Sequence, residues 1–178
     1  MKELSEKNRD KVIDVLNERL TFERAGVKLY DAILANMHKS TNPEIARMLP
    51  SMKEHRDHEK EHEEWLEEQI RKLGGDAHAK TEMSELVTAE SAGVEKVVCG
   101  DHDLVHQMHA LLTAELVDNA GWELLLELAD DAGDDSARRE FRKRLHEEEE
   151  HLLFVRRACT AFARRSVLGQ TVLLPASP

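Results

Sequence analysis

The chain has 178 residues, of which 25 are basic and 36 acidic, so its net charge is −11. That balance argues against general nucleic-acid binding, which needs a basic surface. No apolar run approaches the length that crosses a membrane, and the two cysteines, Cys99 and Cys159, form no paired motif. Glycine and proline are scarce and helix-forming residues dominate, so we expect an all-α, cytoplasmic protein.

Hydrophobic periodicity predicts two long helices in the first half of the chain. The first covers about 6–37, and the second covers about 43–73 and stops at Gly74-Gly75. Pro50 should kink the second helix or confine its first part to an irregular turn.

Two further long helices follow a connection at 76–101, which we expect to be a short helix or an ordered crossover. The third starts near Asp101 or Asp103 and continues to about 130. The fourth is capped by Asp135 or Ser136 and runs to about 165. A connection this long lets the third helix run parallel to the second, as in four-helix bundles with one long crossover. We therefore predict a bundle over 1–165 and a tail over 166–178.

Six metal-ligand side chains fall on the apolar stripes of these helices. The motif Glu-x-x-His occurs twice there, and a spacing of three residues puts both side chains on one helix face. A chance motif on a solvated helix would face outward instead. The six residues are Glu23, Glu59, His62, Glu115, Glu148 and His151.

An internal repeat relates the two halves of the chain. Glu23 is followed seven residues later by Tyr30, and Glu115 is followed seven residues later by Trp122. Each half then supplies one Glu-x-x-His motif, so a bundle with approximate twofold symmetry would bring all six groups together. Four carboxylates inside a helical core need cations, and two divalent ions with two imidazole ligands would balance them. This mixture of oxygen and nitrogen ligands suits iron or manganese.

The segments around these residues resemble the ferritin-like superfamily, and within it the rubrerythrin and bacterioferritin group. They are LNERLTFERAGVKLY, EKEHEEWLEEQIRKLGG, AELVDNAGW and LHEEEEHLLFV. The resemblance spans about 10–163 and implies a di-iron centre on the four glutamates. It also implies that Tyr30 hydrogen-bonds to a ligand from the other half. Trp122, in the matching position, can donate only an N–H.

The chain also departs from those families. It lacks the paired C-x-x-C motifs of a rubredoxin-type domain. Lys60 stands where bacterioferritins carry a haem-binding methionine, so we expect no haem. Rubrerythrins tend to have a second carboxylate three residues after the third-helix ligand. Asp118 occupies that place with a shorter side chain, and it is a further candidate ligand in a peroxidase-type centre.

The remaining histidines and acids have plainer interpretations. His55 lies one turn before Glu59 and faces inward, either as a group supporting the metal site or as a satisfied core histidine. We expect His58 to be solvated and, of the acidic block 147–150, only Glu148 to point inward. Three more histidines lie on the outer face of the third helix, where they fit a surface or subunit contact: His102, His106 and His109.

The leading functional hypothesis is an oxidoreductase in which two ferrous ions react with O2 or hydrogen peroxide, as in a ferroxidase or a peroxidase. Two alternatives remain: a non-catalytic metal-binding or iron-storage protein, and a metal-free structural bundle. We expect a homo-oligomer, with a dimer favoured. The apolar tail either docks on a neighbouring subunit or stays loose.

Overall fold

The protein, described by a computed structural model over residues 1–100 and 102–176, is all-helical across that part of the chain. The helices are α1 (Lys2–Met37), α2 (Pro43–Lys72), α3 (Glu82–Gly100), α4 (Leu104–Ala132) and α5 (Asp135–Leu168). Helix α1 packs against α2, and α4 packs against α5. Helix α3 lies against α1 and α4. Among the described residues, no helix combines the length and the apolar character that crossing a bilayer requires.

Two helix boundaries differ from the sequence-based expectation. Helix α1 begins earlier than expected, and its backbone leaves helical geometry at Asn8 (φ −161°, ψ 87°). Helix α2 is helical from Pro43 onward and continues through Pro50, so the expected irregular first part is wrong. The side chain of Asn42 accepts a hydrogen bond from the Glu44 amide and fixes the start of α2.

Aspartates begin the last two helices. Asp103 caps α4 by accepting a hydrogen bond from the Val105 amide at 2.8 Å, whereas Asp101, the other expected start, lies outside the described residues. Asp134, rather than Asp135 or Ser136, caps α5 by accepting from the Ala137 amide at 2.9 Å. Asp134 is fully buried, which the sequence did not indicate.

The core consists of two apolar clusters with a polar layer between them. Leu16 and Leu20 of α1 belong to one cluster, and Tyr30 and Ile33 belong to the other. Helix α2 runs through the same clusters in the opposite order, from Met52 to Leu66. Each helix therefore carries its buried polar residues across the middle of the molecule, where the candidate site lies.

The C-terminal segment packs on its own chain. Val172 and Leu174 contact the cluster that contains Tyr30, and the Val172 carbonyl accepts a hydrogen bond from Arg165 Nε at 2.8 Å. These residues are therefore not loose, because they pack on an apolar surface of the same chain.

Candidate metal centre

The structure brings the six predicted side chains together in the polar layer between the two apolar clusters. Each is at most 2 % exposed, although their positions span more than a hundred residues of sequence. Four different helices supply them: α1 gives Glu23, α2 gives Glu59 and His62, α4 gives Glu115, and α5 gives Glu148 and His151.

One side of the cluster is built around His151. Its Nδ1 lies 3.1 Å from Glu148 Oε2 and 3.4 Å from Glu59 Oε1. Glu115 Oε2 lies 3.9 Å from the same nitrogen. One ligand atom from each of these four residues lies within 4.8 Å of the others, which is a spacing that a single cation can span.

The other side is built around His62. Its Nδ1 lies 3.0 Å from Glu148 Oε1 and 3.4 Å from Glu23 Oε2. Glu148 thus presents one oxygen to each histidine. Glu59 also belongs to groupings on both sides, because it lies with Glu23, Asp118 and Glu148 as well.

The unpaired atoms of the cluster match a metal site. Within the described part of the chain, no hydrogen-bond partner reaches Glu23 Oε2, Glu59 Oε2, Glu115 Oε2, Glu148 Oε1 or His62 Nδ1, all of which are buried. An unsatisfied buried polar atom costs about 1–3 kcal/mol, and more when it is charged. So many such atoms in one place fit residues that are arranged to bind cations.

Two aromatic side chains hold the outer oxygens of two of these glutamates. Tyr30 Oη donates to Glu115 Oε1 at 2.6 Å, the cross-half hydrogen bond that the family resemblance implies. Trp122 Nε1 donates to Glu23 Oε1 at 2.9 Å. Each half therefore fixes the glutamate of the other half, and the second oxygen of each glutamate is left facing the cluster.

A buried arginine, which the sequence analysis missed, adjoins the cluster. Arg19 is fully buried, and its Nη1 lies 3.3 Å from Asp118 Oδ1 and donates to the Asp118 carbonyl at 3.0 Å. Its Nε lies 3.8 Å from Glu23 Oε1. Asp118, the further candidate ligand, is thus buried beside the cluster but paired with a resident cation.

Two glycines make room for the charged groups of this layer. A Cβ at Gly121 would lie 1.6 Å from Arg19 Nη1, and a Cβ at Gly26 would lie 2.1 Å from Glu59 Oε2. Both glycines lie inside helices, where glycine is otherwise unfavourable. Gly121 was the sequence signal that could have pointed to a side chain crossing from α1 to α4.

Two residues expected to be solvated contact the histidines of the cluster. Glu147 Oε2 lies 2.9 Å from His62 Nε2, and His58 Nδ1 lies 3.1 Å from His151 Nε2. Both side chains are half-buried. The predictions that His58 is solvated and that only Glu148 of the acidic block points inward are wrong, because α2 and α5 pack face to face along these positions.

His55 lies beside the cluster rather than in it. It is buried, and its ring lies 4.3 Å from that of His151, measured between centroids. Burial, together with electrostatic repulsion from His151 and His58, lowers the pKa of His55 to about 2. It is therefore a neutral packing partner of His151. The outer histidines, His102, His106 and His109, are exposed.

The electrostatics of the cluster without a cation show strong repulsion. Burial, followed by repulsion from Glu148, raises the pKa of Glu59 and of Asp118 well above their ordinary values. Burial also raises the pKa of Glu115 to about 8. Burial opposes the charged form of Glu148 as well, but attraction to His151, the hydrogen bond with that histidine and the nearby His62 imidazole lower its pKa.

The pKa of His62 shifts in the direction that also favours its charged form. Burial would lower its pKa, yet the hydrogen bond with Glu147 and the nearby carboxylates of Glu148 and Glu23 raise it well above the ordinary value. Protons therefore take the place that cations would occupy, and the same atoms would release them on binding a metal ion.

Comparison with known proteins identifies the family. No curated protein and no solved structure gives a significant match to the chain. The family model of the ferritin-like domain matches residues 13–164, which include every residue of the cluster and most of the chain. The chain therefore belongs to the ferritin-like domain family.

Proposed function

We propose that the chain is a ferritin-like oxidoreductase that binds two iron ions and reacts with O2 or hydrogen peroxide, as a ferroxidase or a peroxidase. Manganese is the alternative metal. The observation that carries the proposal is the convergence of four glutamates and two histidines with unpaired atoms facing one another. Iron bound there would supply the electrons for reducing the oxidant.

The proposed fold is a four-helix bundle of α1, α2, α4 and α5, in which α3 lies within the long crossover between α2 and α4. A cytoplasmic location, the absence of haem and a homodimer accompany this proposal. Exposed aliphatic side chains on α4, namely Leu116, Leu124 and Leu128, are consistent with a contact between subunits.

The protein residues have distinct parts in this function. Glu23, Glu59, Glu115 and Glu148, together with His62 and His151, would hold the two metal ions. Tyr30 and Trp122 would hold the outer glutamates in place, which leaves one oxygen of each for the metal. The apolar clusters on either side limit the access of water to the layer.

A non-catalytic metal-binding or storage protein remains the second candidate. The same side chains would serve it, so it differs from the first candidate in reactivity rather than in ligands. A metal-free structural bundle is disfavoured, because the buried carboxylates would then remain unpaired.

The test begins with anaerobic reconstitution of the apo protein with Fe(II) and a metal-to-chain ratio by elemental analysis. We expect a ratio near two. Stopped-flow mixing with O2 or with hydrogen peroxide should then oxidise the bound iron within one turnover, and the faster oxidant names the activity. Tight binding without fast oxidation by either would support the storage function. A chain that holds neither iron nor manganese would refute both.

A pair of variants tests the location of the site. Glu148→Ala should abolish binding of the second metal ion, because Glu148 faces both histidines. Glu149→Ala is the matched control, since Glu149 is exposed and lies one residue further along the same helix. Equal losses of iron in the two variants would contradict the assignment.

A further inference from the structure

The residues immediately before the two Glu-x-x-His glutamates occupy equivalent places in the internal repeat. His58 precedes Glu59, and Glu147 precedes Glu148. Each reaches across to the histidine of the opposite half: Glu147 to His62 Nε2 at 2.9 Å, and His58 to His151 Nε2 at 3.1 Å. The two contacts have similar distances, but one partner is a carboxylate and the other is an imidazole.

The inner nitrogens of the two histidines are also equivalent. Nδ1 of His62 and Nδ1 of His151 face the carboxylates, so each outer Nε2 is left for its partner across the helix pair. An imidazole that binds a metal through Nδ1 carries its proton on Nε2 and donates it to that partner. Glu147 would receive this hydrogen bond with a carboxylate oxygen, whereas His58 would receive it with an imidazole nitrogen.

A carboxylate acceptor makes a ligating histidine a better electron donor and adds a negative charge near the metal ion. Lys143 lies 3.3 Å from Glu147 Oε1, but its side chain is 58 % exposed, so solvent screens much of its effect. On the other side, the ring of His55 is tilted against His151 and that of His58 is stacked on it, and neither is a carboxylate.

The remaining charges do not cancel this difference. Arg19 lies on the Glu23 side of the cluster, but its guanidinium contacts the Asp118 carboxyl at 3.3 Å and donates to the Asp118 carbonyl at 3.0 Å. Tyr30 and Trp122 donate one hydrogen bond each, to Glu115 and to Glu23. The contrast between Glu147 and His58 is thus an asymmetry in the direct partners of the two histidines.

We infer that the two metal positions are inequivalent, and that the position next to His62, supported by Glu147, binds a divalent metal ion before the position next to His151. This inference rests on the proposed dinuclear centre. Glu147 and His58 are positioning residues here, since each acts through a histidine and neither faces the metal ions.

The test is anaerobic titration calorimetry of the full-length apo protein with Fe(II). Partners of this kind change metal affinity by about 10- to 100-fold, so the wild-type protein should bind two ions in steps at least about 10-fold apart. Glu147→Gln, which replaces the carboxylate by a neutral acceptor, should weaken the first step by about 10-fold and bring the two steps together. His58→Glu should bring them together from the opposite direction, by strengthening the second step.

Mössbauer spectra supply a readout that a general loss of stability would not change. With one equivalent of 57Fe(II), the wild-type protein should give one dominant ferrous doublet, and Glu147→Gln should give two of similar area. Glu149→Gln, an exposed neighbour, is the control and should behave as the wild type.

The outcomes separate this inference from the proposed function. Two indistinguishable steps in the wild type would overturn the inference and leave the dinuclear centre intact. Glu147→Gln weakening both steps equally, or His58→Glu leaving both unchanged, would also overturn it. Failure of the wild-type protein to bind any Fe(II) would remove the inference and the proposed function together.

Discussion

The position of the Arg19 side chain depends on its neighbour Gly121, which has no Cβ. Its guanidinium fits against α4 only because position 121 lacks a Cβ. The guanidinium is the counterion of Asp118, and both groups are almost entirely buried. A buried ion pair of this kind need not stabilise the fold compared with apolar residues, but loss of one partner leaves an uncompensated charge.

Gly121→Ala tests this arrangement without removing any charge. The new Cβ would lie 1.6 Å from Arg19 Nη1 and displace the guanidinium from Asp118. We expect the free energy of unfolding to fall by about 3–5 kcal/mol, measured by urea denaturation of the metal-free protein. Gly93→Ala is the control: no atom of the described residues lies within 4 Å of the Cβ it would add, and alanine in a helix should stabilise by up to about 1 kcal/mol. Similar losses for the two variants would contradict the prediction.

The residues of the site were predictable from the sequence only where helical phase decided their direction. Glu23, Glu115 and Glu148 lie on apolar stripes, so a carboxylate there had to face the core. Glu147 is one position away on the same helix, and its contact depends on how closely α2 approaches α5. No property of a single helix indicates that distance.

The side chain of Asp134 connects the beginning of helix α5 with the beginning of helix α1. One of its oxygens accepts the Ala137 amide at the start of α5, and the other accepts the Leu4 amide of α1 at 3.3 Å. Gly133, in the left-handed conformation (φ 67°), ends α4 one residue earlier. A two-residue connection therefore caps one helix and anchors the beginning of another.

Asp134→Ala should lower the free energy of unfolding by about 1–2 kcal/mol, the usual cost of losing an N-cap. Because the Leu4 amide also loses its acceptor, the loss should lie at the upper end of that range. Asp135→Ala is the control: Asp135 is exposed and pairs only with Arg138 among the described residues, so its change should stay within about 0.5 kcal/mol. Thermal or urea unfolding measures both.

The extents of the long helices followed from periodicity, but two details required the tertiary structure. Pro50 lacks the amide that would bond to the preceding turn, yet α2 continues through it, since Met48 and Met52 are fully buried on either side. The packing of Leu174 depends on an apolar surface that exists only once the helices have assembled.

The stability of the whole molecule depends on the net charge of the buried polar layer. Five carboxylates are buried there: Glu23, Glu59, Glu115, Asp118 and Glu148. Two divalent cations together with the Arg19 guanidinium would match them in charge. Burial and mutual repulsion disfavour the charged forms of these carboxylates, as the raised pKa of Glu59 indicates.

The metal-free protein should therefore lose stability as the pH rises from about 5 to about 8. Glu115 has a pKa of about 8 in the folded protein, far above that of an exposed glutamate. The folded state then holds more protons than the unfolded state across that window, so its stability falls with increasing pH. Each such group contributes up to about 1.4 kcal/mol per pH unit.

Unfolding temperatures of the chelated and the metal-loaded protein, recorded across this pH range, measure the effect. Metal should raise the unfolding temperature, and the difference should grow toward pH 8, because ligands that bind only the folded state stabilise it. A difference that is absent, or that shrinks with rising pH, would contradict a metal site at these residues.

The glycines beside the charged layer have a consequence for how the sequence can diverge. Gly26 and Gly121 each leave a space that a charged side chain from another helix fills, Glu59 in one case and Arg19 in the other. In family members that keep this geometry, an alanine at the position of Gly121 should occur together with loss of the arginine. Positions 26 and 59 should therefore covary among related sequences, and so should positions 121 and 19, because the members of each pair are in spatial contact.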